Sequence, residues 1–158
     1  MNYVEATTEY KGEGRAVFLA GGITDAENWQ TQLIDSLQGI KATILNPRRK
    51  DFPMDDPNAG KQQIEWEYRH MEQADLIAFW FPPQTLCPIA LFELGVCCES
   101  RVPLVVGTDL NYARRFDVNT QLGLRRPDVA VVGSLDELAH AIEQHPVLVE
   151  PILLESDQ

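Results

Sequence analysis

Five short apolar runs, four of them closed by turn-forming residues, limit this chain to very few architectures. They are 15–20 (RAVFLA), 43–45 (TIL), 76–80 (LIAFW), 104–106 (LVV) and 129–132 (VAVV). Gly21-Gly22, Asn46-Pro47, Pro82-Pro83 and Gly107 close the first four. These runs are apolar throughout rather than alternating, the pattern of strands buried on both faces. Helical stretches separate them. Trp29, Leu33, Ile34 and Leu37 recur at helical spacing within Asn28–Leu37, and Gly39 stops that helix. Residues 61–73 are helix formers, and Pro88 suits the first turn of a helix running to Glu99. Ser134 with Glu137 three residues later has the form of a capping box opening a last helix through about Glu143. Residues 109–127 give no clear period.

Fully apolar strands alternating with helices predict an α/β fold, a parallel sheet covered on both faces. Right-handed crossovers leave few topologies. The expected one is a flavodoxin-like three-layer sandwich with a five-stranded parallel sheet in the order 2-1-3-4-5. A chain of 158 residues suits one domain, here expected at 14–149. The two ends, 1–13 and 150–158, carry −2 and −3 of the formal charge of −11 and are expected to be loosely docked. In such sheets a ligand sits beyond the carboxyl ends of the strands, near the switch between strands one and three. That rule selects the residues following Ala20, Leu45, Trp80 and Val106.

The acidic balance opposes nucleic acid and anionic membranes as partners. No run of 18 apolar residues suggests a membrane span, and the acidic opening segment does not read as a secretory signal. Three cysteines make no disulfide framework, so a reducing, cytoplasmic setting is expected. His70, His140 and His145 are scattered without ligand spacing, so neither a metal nor a cofactor is expected.

Four segments could carry chemistry. Gly21, Gly22, Ile23 and Thr24 follow the first strand, where glycines let backbone approach a ligand; an ordinary tight turn would look the same. Glu93 lies one turn into an otherwise apolar helix, so it is either held in a site or a favourable charge near the amino end. Arg48, Arg49 and Lys50 follow the second strand and could meet a phosphate, or form a solvated loop. Asp75 stands immediately before the third strand. A strand of six residues spans about 20 Å, which sets Asp75 far from the ligand edge if the strand begins there.

As a set, 17–23 (VFLAGGI), Asn28-Trp29, 45–49 (LNPRR), 74–82 (ADLIAFWFP) and 87–95 (CPIALFELG) resemble the nucleoside 2-deoxyribosyltransferase-like proteins. The resemblance implies a homo-oligomer with shared sites that acts on a small nucleoside or nucleotide. The reaction would break the N-glycosidic bond of a 2′-deoxynucleoside or its 5′-monophosphate, passing the sugar to water or to a second base. Glu93 would be the nucleophile and Asp75 would hold the substrate or protonate the base. Gly21, Gly22 and Ile23 would receive a 5′-phosphate in relatives that use nucleotides. Segment 109–127 would reach a neighbour's site, with Asn119 as its contact. Phe18 stands where relatives often carry Tyr, and Cys87 where many transferases carry Asp.

Two functions follow. One is an enzyme forming a covalent glycosyl-Glu93 intermediate, favoured by the intact Glu93-Leu94-Gly95 element. The other is a non-catalytic sensor of a nucleotide-derived ligand, favoured by Phe18 and Cys87. In either, Phe18, Arg48 and Cys87 are expected to border the ligand.

Overall fold

The computed structural model describes residues 1–150 of the chain. The expected acidic tail at 150–158 falls outside them apart from Glu150. The strands are β1 (Asn2–Glu5), β2 (Arg15–Gly21), β3 (Ala42–Asn46), β4 (Leu76–Phe81), β5 (Leu104–Thr108) and β6 (Val131–Val132). The helices are α1 (Trp29–Ser36), α2 (Ala59–Gln73), α3 (Pro88–Ser100), α4 (Arg115–Arg125), α5 (Leu135–Glu143) and α6 (Pro146–Val149). All strand pairs are parallel, in the order β1-β3-β2-β4-β5-β6. The inner order β3-β2-β4-β5-β6 is the expected 2-1-3-4-5, with one further strand at the edge.

Alternate side chains of the strands feed two cores, one on each face. Phe18, Ala20, Ile77, Phe79 and Phe81 pack with Trp66, Leu94 and Leu122 under α2, α3 and α4. Val17, Leu19, Leu76, Ala78 and Trp80 pack with Trp29, Leu33, Leu138 and Ile142 under α1 and α5. This two-faced burial is why the strands read as continuous apolar runs.

The helix ends follow local chemistry. Asn28 caps α1 by accepting from the Thr31 amide at 3.2 Å. Ser134 caps α5 by accepting from the Glu137 amide at 3.2 Å, while the Glu137 carboxylate accepts from the Gly133 amide at 2.7 Å. The reciprocal bond therefore falls one residue earlier than in a standard capping box.

The amino-terminal segment is not loosely docked. Residues 2–5 pair with Thr43–Asn46 of β3, and the chain then lies along α2. The Trp66 indole donates to the Thr8 carbonyl at 2.6 Å, and the Tyr10 amide donates to Nε2 of buried His70 at 3.0 Å. Arg69 pairs with Glu9 at 2.6 Å. Glu5 and Glu9 of this segment thus have partners, Glu5 accepting from the Lys50 amide at 3.0 Å, which their sequence alone does not reveal.

Register aligns the carboxyl ends of the central strands. Gly21 stands opposite Trp80, and Trp80 opposite Gly107. The turns after β2 and β4 consequently leave the sheet side by side and open one edge of the molecule. No helix among the described residues is long and apolar enough to cross a membrane.

Candidate active site

The site begins with two glycines that serve different ends. Gly21 has φ of +150°, and a Cβ there would lie 2.1 Å from the Trp80 carbonyl oxygen. Only glycine lets β2 run this close to β4. A Cβ on Gly22 would lie 2.7 Å from Cys87 Sγ. The turn is fixed from below by the Trp29 indole, which donates to the Gly22 carbonyl at 2.8 Å. Together these contacts press the turn after β2 against the loop that leads into α3.

A cavity of about 810 Å³ opens beside this turn. Phe18, Gly21, Gly22 and Ile23 form its floor and one wall. A second wall is α3, entered through Cys87 in the left-handed region at φ 51° and Pro88 at the first helical position. A third is one face of α2, where Ile64, Glu67, Tyr68, Met71 and Glu72 recur at helical spacing. The volume suits a drug-sized or nucleoside-sized ligand.

Two half-buried carboxylates line this cavity, Glu93 from α3 and Glu67 from α2. Burial pushes the Glu93 carboxyl up to about 7, and the charge of Glu67 pushes in the same direction. Burial also raises Glu67, an effect opposed by the Gln63 amide, which donates to it at 2.8 Å. Protonation of Glu93 near neutral pH is thereby coupled to the charge of Glu67. Glu67 was not singled out from the sequence. The apolar positions Ile64, Tyr68 and Met71 beside it mark the face that would have found it.

Cys87 is buried among Gly22, Thr85 and Pro88, and burial pushes its thiol up to about 11. It is therefore a neutral, weakly polar wall and not a thiolate. Phe18 is 1% exposed and tilts against Trp66 with ring centres 6.1 Å apart. It gives the floor an apolar surface.

Three expected site residues lie elsewhere. Asp75 is at the opposite end of β4, where it accepts from Arg15 at 2.9 Å and from the Ala16 amide at 2.8 Å. Its own amide donates to the Ala16 carbonyl at 2.9 Å. β4 begins at Leu76, and Asp75 is not among the residues lining the cavity, although Ile77 of the same strand is. Asp75 ties β4 to β2. Arg48 does not line the cavity, because its guanidinium is spent on backbone and Gln30. It donates to the carbonyls of Glu27 and Ala26 at 2.8 and 3.0 Å and to Gln30 Oε1 at 3.2 Å. Asn119 lies on the exposed face of α4, outside this chain's own cavity. Among the described residues, no cluster of three or more His, Cys, Asp or Glu could hold a metal ion.

A family model described as "Nucleoside 2-deoxyribosyltransferase like" matches residues 14–110. The match runs from just before β2 to just past β5 and so includes all three cavity walls. No curated protein matches the chain.

Proposed function

Because the chain belongs to the nucleoside 2-deoxyribosyltransferase-like family, we propose that it cleaves or exchanges the N-glycosidic bond of a 2′-deoxynucleoside or its 5′-monophosphate. Residues 14–149 form the domain that does so. The observation that carries this reading is the pair of half-buried carboxylates, Glu93 and Glu67, opening on one cavity beside the glycine turn.

Glu93 is the nucleophile. Its carboxylate oxygen bonds to the anomeric carbon as the C–N bond breaks, and the bonding pair leaves with the base. Glu67 supplies the proton that the departing base takes up. The nucleophile has to be ionised, so in the substrate complex the proton shared by the pair resides on Glu67. Positive charge developing at the anomeric carbon favours that arrangement over its reverse. The glycosyl ester on Glu93 then passes to a second base or to water, which loses its proton to the Glu67 carboxylate, so both side chains are restored. The apolar floor at Phe18 limits water near the ester and favours transfer.

The exposed apolar residues at the rim, Ile64 and Tyr68 of α2 with Ile89, Phe92 and Val96 of α3, support a homo-oligomer whose subunits meet over the cavity. Asn119 of one subunit is then available to the site of another. The three free, buried cysteines suit a reducing cytoplasm.

Incubation with 2′-deoxynucleosides and their monophosphates, following free base by chromatography, tests the chemistry. Glu93→Gln is expected to lower base release by at least about 10³-fold with the fold retained, and Glu67→Gln by about 10²–10⁴-fold. Mass spectrometry of the wild type should detect an added deoxyribosyl group that Glu93→Gln lacks. A second reading, ligand binding without turnover, draws on Phe18 and Cys87, which offer neither a hydroxyl nor a carboxylate. Tight binding with no release, unchanged in Glu93→Gln, would establish that alternative and remove the enzyme.

A further inference from the structure

The cavity runs well past its two carboxylates. α2 leads into β4 and α3 into β5, and these strands are parallel neighbours, so the two helices run in the same direction along one face of the sheet. Ile64 through Glu72 on α2 and Ile89 through Ser100 on α3 face the gap between them at helical spacing. At about 1.5 Å per residue, Glu93 stands about 6 Å beyond Ile89, and Ser100 about 10 Å beyond Glu93. More of the groove therefore lies beyond the nucleophile than before it.

Its two halves differ in chemistry. On the side of the glycine turn, the Gly21–Thr24 backbone and the hydroxyls of Thr24 and Thr85 offer polar partners. On the far side, Met71, Ile77, Cys97 and Val102 form the floor and walls, with Glu72 and Ser100 exposed at the end. Burial pushes the Cys97 thiol up to about 12, so it is uncharged. The Ser100 hydroxyl donates to the Cys97 carbonyl at 3.1 Å. A group seated on this floor meets apolar surface, and a polar group there would lose its hydrogen bonds to water.

That division orients a nucleoside. Its sugar hydroxyls need the polar half, and with the anomeric carbon at Glu93 the base is directed into the apolar half. With bonds of about 1.3–1.5 Å, a purine reaches about 6–7 Å from the anomeric carbon. The far floor at Ile77 and Val102 lies beyond it. We infer that this far floor is a binding subsite for an apolar substituent, alkyl or aryl, carried on the base. The inference rests on the glycosidic reading above and adds to it a preference for bases enlarged in this way.

The test compares 2′-deoxyadenosine with N6-benzyl-2′-deoxyadenosine, and 2′-deoxyuridine with its 5-hexynyl derivative. Calorimetric binding is measured in parallel with base release on the wild-type protein. In at least one pair the substituted nucleoside is expected to bind at least about tenfold tighter than its parent, through the apolar area it buries. Val102→Phe and, separately, Met71→Phe fill the far floor. Each is expected to bring that ratio to within about twofold while parent binding stays within about threefold of wild type. A merely structural role for these side chains would weaken parent and substituted nucleoside alike. Equal, weaker or absent binding of both substituted nucleosides overturns the inference, and is the result expected if a second copy of the chain fills the far floor instead. A preference that survives both substitutions overturns it as well. Preferential binding with no base release from any of the four would leave the subsite standing and remove the glycosidic chemistry. Base release from the parents with no preference would do the reverse.

Discussion

At the scale of the residue, Glu93 couples pH to both stability and chemistry. Its folded-state value of about 7 lies above the ordinary 4.5, so the native protein binds this proton more tightly than the unfolded chain does. The contribution is most favourable below about pH 4.5, declines as pH rises toward 7, and is level above that. Glu93→Gln removes the ionisation while keeping the shape. It should raise the melting temperature at pH 8 by about 2–6 °C and leave it nearly unchanged at pH 4.5, as scanning calorimetry would show. On the proposed mechanism the reactive form is the pair holding one proton; that proton is lost as pH rises through about 7, so kcat/KM for base release should fall above it. A profile flat between pH 5 and 8 would separate Glu93 from the reaction.

At the scale of the element, Asp75 belongs to the joint between β2 and β4. Asp75→Asn is expected to cost about 1–3 kcal/mol of stability in denaturant unfolding and to leave base release within about threefold of wild type. A large loss of turnover at unchanged stability would return Asp75 to the chemistry. β2 to β5 were legible because burial on both faces writes itself into the sequence as continuous apolar runs, while β6, expected over 129–132, is a half-buried edge strand of two residues. The glycine turn and Glu93 were legible for a related reason, since each breaks its local pattern. Other features depend on partners distant in sequence. β1 (NYVE) has two exposed and two half-buried residues, and its strand character comes from pairing with β3. In α4 only Val118 and Leu122 are buried, while Phe116 and Leu124 face outward, so no single apolar stripe marks it. Asp75 and Arg48 carried plausible side chains at plausible places in sequence. What engages them, Arg15 and the Ala16 amide for one and three acceptors around α1 for the other, could not be read there.

At the scale of the whole molecule, exposed apolar side chains gather at the rim of the cavity. Phe92 is 71% exposed, and Ile89 and Tyr68 are nearly as open. Such a cluster is what the proposed contact between subunits would use. Sedimentation of the wild type should give a multiple of the 17.8 kDa chain. Phe92→Glu should shift it toward monomer and lower turnover together, whereas a fully active wild-type monomer would exclude shared sites. The edge strand has a different implication, for the order of events as the chain folds. Residues 2–5 leave the ribosome before the Thr43–Asn46 segment that receives them, and β2 and α1 lie between the two in sequence. Closing that long loop is entropically unfavourable until β3 has already settled on β2. Residues 2–5 are therefore expected among the last to dock, as a clasp that fastens over a sheet already assembled.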